Sequence, residues 1–340
     1  MNLPMAPTQV QLSDEQIAEL HADVRALAAE RDAVILAHNY QVPEVQDIAD
    51  YVGDSLGLSR MAAAAEQRNI VFCGVHFMAE SASILSPDKR VFIPDVDAGC
   101  SLADSITPDE LRAWQAKHPG AVTVMYVNTT AEVKALTDYC VTSSNAVQVV
   151  EHIYRTHGED TEILFGPDMF LGAYVEKTIG RPMHVWNGEC HVHAGIRPSD
   201  IDAVRAAHPG ADFLIHPECG CSTSVMEYVA AGDVDTAGVH MLSTGGMLQY
   251  AKAAEREAAP EGGRRTAIVA TETGMLHPLR MAAPDVDFVA ANERAACLYM
   301  KMITLPKLRD CLRDLTGEVK VPAEIADRAR IPIERMVAIG

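Results

Sequence analysis

The decapeptide WNGECHVHAG, Trp186 to Gly195, carries a cysteine and two histidines, and all three side chains are good metal ligands. The His191-x-His193 pair suits zinc, whereas Cys190 by itself suits a soft iron site. Which applies depends on whether any of the three recurs elsewhere in the chain. AGCSLADSITPDELRAWQAKHPGAVTVMYVNT, from Ala98, sets without a gap beneath GECHVHAGIRPSDIDAVRAAHPGADFLIHPEC, from Gly188. Cys100 then falls on Cys190, Ile106 on Ile196, Pro108 on Pro198, and His118-Pro119-Gly120 on His208-Pro209-Gly210. A weaker third copy puts Ile303 six residues after Cys297, as Ile106 is six after Cys100. Only the cysteine is common: Ser101 and Ala103 stand where His191 and His193 stand. The histidines are therefore additions beside a repeated ligand, donors behind it or contacts to substrate rather than a zinc pair, and His191, next to Cys190, is the first of the two to suspect.

Three thiolates, Cys100, Cys190 and Cys297, with no local fourth suit a single 4Fe-4S cluster per chain with one iron left open. An open iron is a Lewis acid that can take a carboxylate or hydroxyl oxygen. Polar residues recur beside these cysteines. VILAHNY, Val34 to Tyr40, aligns with VTVMYVN, Val122 to Asn128, so His38 matches Tyr126, Tyr40 matches Asn128, and the third copy offers His216 and Glu218. Ser55 follows His38 by 17 residues, Ser143 follows Tyr126 by 17, and the third hydroxyl, Ser243 or Thr244, is delayed by an insertion containing ECGCSTSV. Each hydroxyl precedes a helical pattern, where it can cap the helix or sit with the helix end against an anion. Of the other cysteines, Cys73, Cys140 and Cys311 read as core residues. Cys219-x-Cys221 reads as a redox pair, a spare ligand or a plain part of the insertion, and no catalytic role is assigned to it.

Something must hold these residues in register. VILAHN, NIVFCG and RVFIPD are short, apolar and bounded by polar or glycine residues, as buried parallel strands are; LGLSRMAAAAEQ, SNAVQVVEHIYRT and MLQYAKAAEREAA have helical length and pattern. Each unit then reads strand, helix, strand, helix, strand, cysteine loop, helix. The prediction is an α/β protein of three αβα three-layer sandwich domains about a pseudo-threefold axis, with cluster and active site at their common interface. Boundaries are expected at 1–21 for a partly helical N-terminal segment, 22–107, 108–197 and 198–303 for the repeats, and 304–340 for a helical segment packing on the core. Across 340 residues, 48% hydrophobic and 22% charged, no run approaches membrane-spanning length, and MNLPMAPTQVQLSDEQ lacks the basic start and apolar stretch of a signal peptide; the expected location is cytoplasmic. A net charge of -19 without any clustered Lys and Arg argues against nucleic acid or anionic membrane as partners. Converging helix N-termini would still let so acidic a chain take small anions.

The motifs AHNYQ with DIADYVGDSLGLSR, FMAES, DVDAGCSLADS, YVNTTAEVKA with VTSSNA, FGPDMFLG, WNGECHVH, HPEC, LSTGGM, ATETGMLH and CLYMKMITL, in order over roughly 30 to 305, resemble the quinolinate synthase family. That resemblance implies that Cys100, Cys190 and Cys297 ligate a 4Fe-4S cluster. It further implies that iminoaspartate (iminosuccinate) and dihydroxyacetone phosphate condense to quinolinate, in de novo NAD biosynthesis, with loss of phosphate and two waters. His38, Ser55, Tyr126, Asn128, Ser143, His216, Glu218 and Thr244 would contact substrate or intermediate, with Tyr40 and Glu218 as the proton-transfer candidates; His191, singled out by the loop comparison and not by the resemblance, joins the catalytic candidates. It implies a supply link to L-aspartate oxidase and a monomer or homodimer. Where some members carry CxxCxxC, NERAACLYM has Cys297 alone, so a disulfide switch there is not expected. Two other readings compete. A zinc hydrolase would use His191-x-His193 with His38 or His216, but leaves the matched cysteines unexplained; a non-catalytic iron-sulfur oxygen sensor would want a basic patch for nucleic acid, which the chain lacks.

Overall fold

The computed structural model describes residues 12–222, 238–257 and 264–339. It holds three separate parallel sheets. The first consists of β1 (Ala33–His38), β2 (Tyr51–Gly53), β3 (Asn69–Cys73) and β4 (Arg90–Phe92); the second of β5 (Val122–Tyr126), β6 (Tyr139–Val141), β7 (Ile163–Gly166) and β8 (His184–Val185); the third of β9 (Asp212–Ile215), β10 (Val239–Met241), β11 (Arg265–Ala270) and β12 (Val286–Ala290). Within each unit the first strand lies between the second and third, and the fourth lies outside the third: β4-β3-β1-β2, β6-β5-β7-β8 and β10-β9-β11-β12. This common order confirms the three related α/β units. Among the described residues only the first sheet is extended, by β13 (Glu318–Val319), antiparallel to β4.

The three-strand unit read from the sequence is one strand short. Among the described residues each unit has four, so every cysteine loop follows the fourth strand, not the third. The overlooked second strands, β2, β6 and β10, are three residues each, too short for any periodicity to register. The first strands were legible because they are buried on both faces, as β1 is from Val34 to His38 and β5 along its whole length.

Short crossovers and defined helix starts set the geometry at the carboxyl ends. Asp54 caps the helix Ser55–Ala64 by accepting from Gly57 N at 2.8 Å, and Ser243 caps the helix Thr244–Ala254 by accepting from Gly246 N at 3.2 Å. Ser55 and Thr244 are thus first helical residues and not caps, which leaves their hydroxyls for the interface. Ser143 precedes Asn145, which itself precedes the helix Ala146–His157. Asn145 donates to Met336 O (2.9 Å) and Ile339 O (2.7 Å), tying the second unit to the C-terminal helix Ala323–Ala338. That helix buries Ala326, Ala329, Ile333 and Met336, and no helix of the described residues is long and apolar enough to cross a membrane. Residues 223–237, which hold most of the insertion expected after HPEC, lie outside the described residues, as do 1–11 of the expected N-terminal segment.

Candidate active site

The carboxyl ends of β1, β5 and β9 face one cavity, and every residue singled out from the sequence lines it: His38, Tyr40 and Ser55 from the first unit, Tyr126, Asn128 and Ser143 from the second, His216, Glu218 and Thr244 from the third, with His191 and the three cysteines. The helix starts also converge there. Ser144 Oγ donates to Asp54 Oδ2 at 2.7 Å, and a Cβ at Gly245 would come 2.8 Å from that same oxygen, so glycine is what lets the third unit's helix end approach the first's.

First and third units share a local device. Tyr40 N donates to His38 Nδ1 at 3.2 Å, and Glu218 N to His216 Nδ1 at 3.4 Å. A nitrogen that accepts a backbone N–H holds no proton, so each ring keeps its proton on Nε2. His216 Nε2 lies 3.1 Å from Ser143 Oγ. Burial pushes His38 down to about 3 and His216 to about 4, so both are neutral N–H donors at physiological pH.

Between them runs a buried polar chain. Tyr40 Oη is 2.6 Å from Thr271 Oγ1 and 3.3 Å from His193 Nε2; His193 Nε2 is 2.9 Å from Thr271 Oγ1. His193 Nδ1 forms an ion pair with Glu218 Oε2 at 3.2 Å, while Tyr126 donates to Glu218 Oε1. His193 also stacks on His216, with ring centroids 4.9 Å apart. Burial opposes the Glu218 charge, but the imidazoles of His193 and His216 outweigh it and hold the carboxyl well below the usual range. Burial likewise opposes a charged His193, yet Cys190 and Glu218 raise it far above an ordinary imidazole. Burial drives both phenols, Tyr40 and Tyr126, well above their usual value, so they stay O–H donors. The chain is a carboxylate and an imidazolium flanked by two neutral phenols.

His193, Thr271 and Glu272 complete this centre, and sequence reasoning did not weigh them as its working groups. His191 lies to the side, half-buried, its Nδ1 2.6 Å from Ser101 Oγ. The two histidines of HVH thus diverge, and among the described residues no group of three ligands includes both, which removes the zinc pair. Glu272, buried beneath the third cysteine loop, accepts from Cys297 N at 2.9 Å and sits 3.0 Å from Lys301 Nζ. ATETGMLH marked its position but not its task.

The donor set matches an iron-sulfur cluster. Cys100, Cys190 and Cys297 are the partly exposed free cysteines; Cys73, Cys140 and Cys311 are buried in the core, as the sequence indicated. Cys219 and Cys221 are bonded to each other and fully buried, which excludes the spare-ligand reading. Burial pushes Cys100 up to about 12 and Cys297 to about 11, and raises Cys190. Only a cation bound among them would hold all three as thiolates. A single tetrahedral ion would need the sulfurs about 3.8 Å apart, given Zn–S bonds of about 2.3 Å. The three do not gather within 4.8 Å of one another, a spacing that suits a polynuclear group instead.

Residues 22–338 match the family model for quinolinate synthetase A protein. Quinolinate synthase of Mycobacterium tuberculosis (strain H37Rv) is 58% identical over 320 residues, 94% of this chain and 88% of that protein. Those of Mycobacterium sp. (strain KMS) and Mycolicibacterium paratuberculosis (strain K-10) are each 56% identical, over 95% of this chain and 92% and 89% of their own lengths. With three related α/β units closing on one cysteine-rimmed polar cavity, and likeness running along almost the whole chain, this protein belongs to the quinolinate synthase family of enzymes.

Proposed function

We propose that the cavity condenses iminoaspartate with dihydroxyacetone phosphate to quinolinate, releasing phosphate and two waters. The observation that carries this is the meeting of three loop cysteines with the Tyr40–Thr271–His193–Glu218–Tyr126 chain in one cavity. Cys100, Cys190 and Cys297 would hold a 4Fe-4S cluster whose open iron supplies a Lewis acid for an oxygen of the intermediate. The remaining work falls to side chains. His38 and His216 offer Nε2–H, Ser55 and Thr244 offer hydroxyls at helix N-termini, and Ser143 and Asn128 complete a wall of donors for two carboxylates and a phosphate. Asn128 Oδ1 is buried without a partner, an acceptor matched to the nitrogen of iminoaspartate.

Attack by the enamine carbon expels phosphate, a ketose-to-aldose proton shift moves the carbonyl to the terminal carbon, the nitrogen closes on that aldehyde to make the six-membered ring, and two dehydrations make it aromatic. Glu218 takes protons from carbon, Tyr40 returns them to departing hydroxyls, and His193 with Thr271 joins the two. His191 contacts substrate at the edge of the cavity. Because iminoaspartate is hydrolytically labile, an L-aspartate oxidase is the fitting supplier. The test is anaerobic purification followed by an assay for quinolinate from oxaloacetate, ammonia and the triose phosphate. A brown, dithionite-bleachable protein that makes quinolinate supports the reading; a cluster-loaded protein that makes none overturns it.

A further inference from the structure

The repeated His118-Pro119-Gly120 plays no part in the cavity, which lies at the opposite ends of the strands. His118 ends the helix Pro108–Lys117, Glu162 immediately precedes β7, and His184 opens β8. The three side chains converge at the amino edge of the second sheet: His118 Nδ1 is 3.7 Å and His184 Nε2 3.5 Å from the same Glu162 Oε2, and the rings lie 4.0 Å apart. All three ligand atoms fall within 4.8 Å of one another. These separations are too long for hydrogen bonds. They are close to the edge of a tetrahedron with bonds of about 2.0–2.1 Å, roughly 3.3 Å, as zinc makes with imidazole and carboxylate.

The backbone presets the arrangement. Val122 N donates to Glu162 O at 2.8 Å and Ala121 N to His118 O at 3.1 Å, so the helix end and the two strand starts are held together before any ion arrives. The side chains of Glu162 and His184 are 61% and 42% exposed, leaving an approach and a fourth position for water. The chain's charge of -19 concentrates cations around it. The third unit is a natural control. His208 matches His118, but sheet register places Thr266 where Glu162 stands and Val289 where His184 stands.

We propose that His118, Glu162 and His184 form a second metal site, for one divalent transition ion of the zinc class with water as fourth ligand. It would pin the amino edge of the second unit. The test titrates zinc sulfate calorimetrically into the anaerobic, cluster-loaded enzyme, with zinc and iron counted after desalting. Expected is one zinc per chain with iron unchanged. His184→Ala and Glu162→Gln should each weaken binding by more than about 100-fold, beyond what loss of an outer-shell partner costs, and His208→Ala should not change it. In the unaltered enzyme, zinc should shield His118 and His184, but not His208, from diethyl pyrocarbonate as read by peptide mass spectrometry. No zinc uptake, uptake matched by iron loss, one zinc per two chains, or equal modification of all three histidines would each overturn the site.

Discussion

The loops around Cys100 and Cys190 are the same segment used twice, and they meet. Ser101 and His191 occupy one repeat position and are hydrogen bonded to each other across the interface at 2.6 Å. Two residues on, Ala103 is buried in the core while His193 is buried in the site. The difference separates what the repeat supplies from what it does not. Repetition delivers a backbone that puts a cysteine at the same point of each unit; the chemistry comes from single substitutions at positions the copies share.

If the shared cysteine is the scaffold of the metal centre, losing one copy should be the most damaging change of all. Cys190→Ser is expected to abolish both the visible chromophore and quinolinate formation, read by iron content and product assay. Full turnover without iron would break the comparison at its root. Next in size is a change of chemistry alone. Glu218→Gln should leave iron content unaltered yet lower kcat by about 10²- to 10⁴-fold, the usual worth of a positioned acid-base group, with KM nearly constant.

The two histidines of one loop should then differ from each other. His193→Gln should cut kcat by roughly 10²-fold, since it interrupts the link between Tyr40 and Glu218. His191→Ala, which removes only the bond to Ser101 and an edge contact, should act mainly on KM, by roughly tenfold, a loss comparable with one hydrogen bond to a charged group. Equal effects on kcat would erase the distinction between centre and edge.

The sequence favoured His191 because it adjoins the ligand, and that preference illustrates which inferences a linear chain supports. Cysteines at a gapless interval report their own equivalence, and a fully buried strand such as β5 announces itself by composition. The four residues after Cys190 form a short turn of helix, His191–Ala194, that rotates one histidine to the edge and the next but one to the centre. Adjacency in sequence says nothing about that rotation. Thr271 and Glu272 were harder still, because the third unit's insertion displaces its later strands from the interval that aligned the first two. The choice between Ser243 and Thr244 was open for the same reason, and it turned on which hydroxyl the helix itself consumes: Ser243 caps, Thr244 faces the cavity.

The smallest expected effect concerns the backbone on which the comparison rests. Gly188, two residues before Cys190, corresponds to Ala98, which is fully buried without conflict. At Gly188 a Cβ would stand 2.4 Å from Pro167 O and 2.5 Å from Ser105 Oγ, whereas at Gly99 the nearest atom would be 3.5 Å away, on Tyr299. The second loop therefore runs closer to its neighbours than the first, which fits the bridge pairing Asp168 with Gly188 and the bond from Met169 N to Gly188 O at 2.8 Å. Gly188→Ala should cost about 1–3 kcal/mol of stability, as overpacking generally does, with a matching fall in Tm; Gly99→Ala should leave Tm nearly where it was. Were the two substitutions equally tolerated, the second loop would be no more tightly held than the first, and the position of His193 would have to rest on its hydrogen bonds alone.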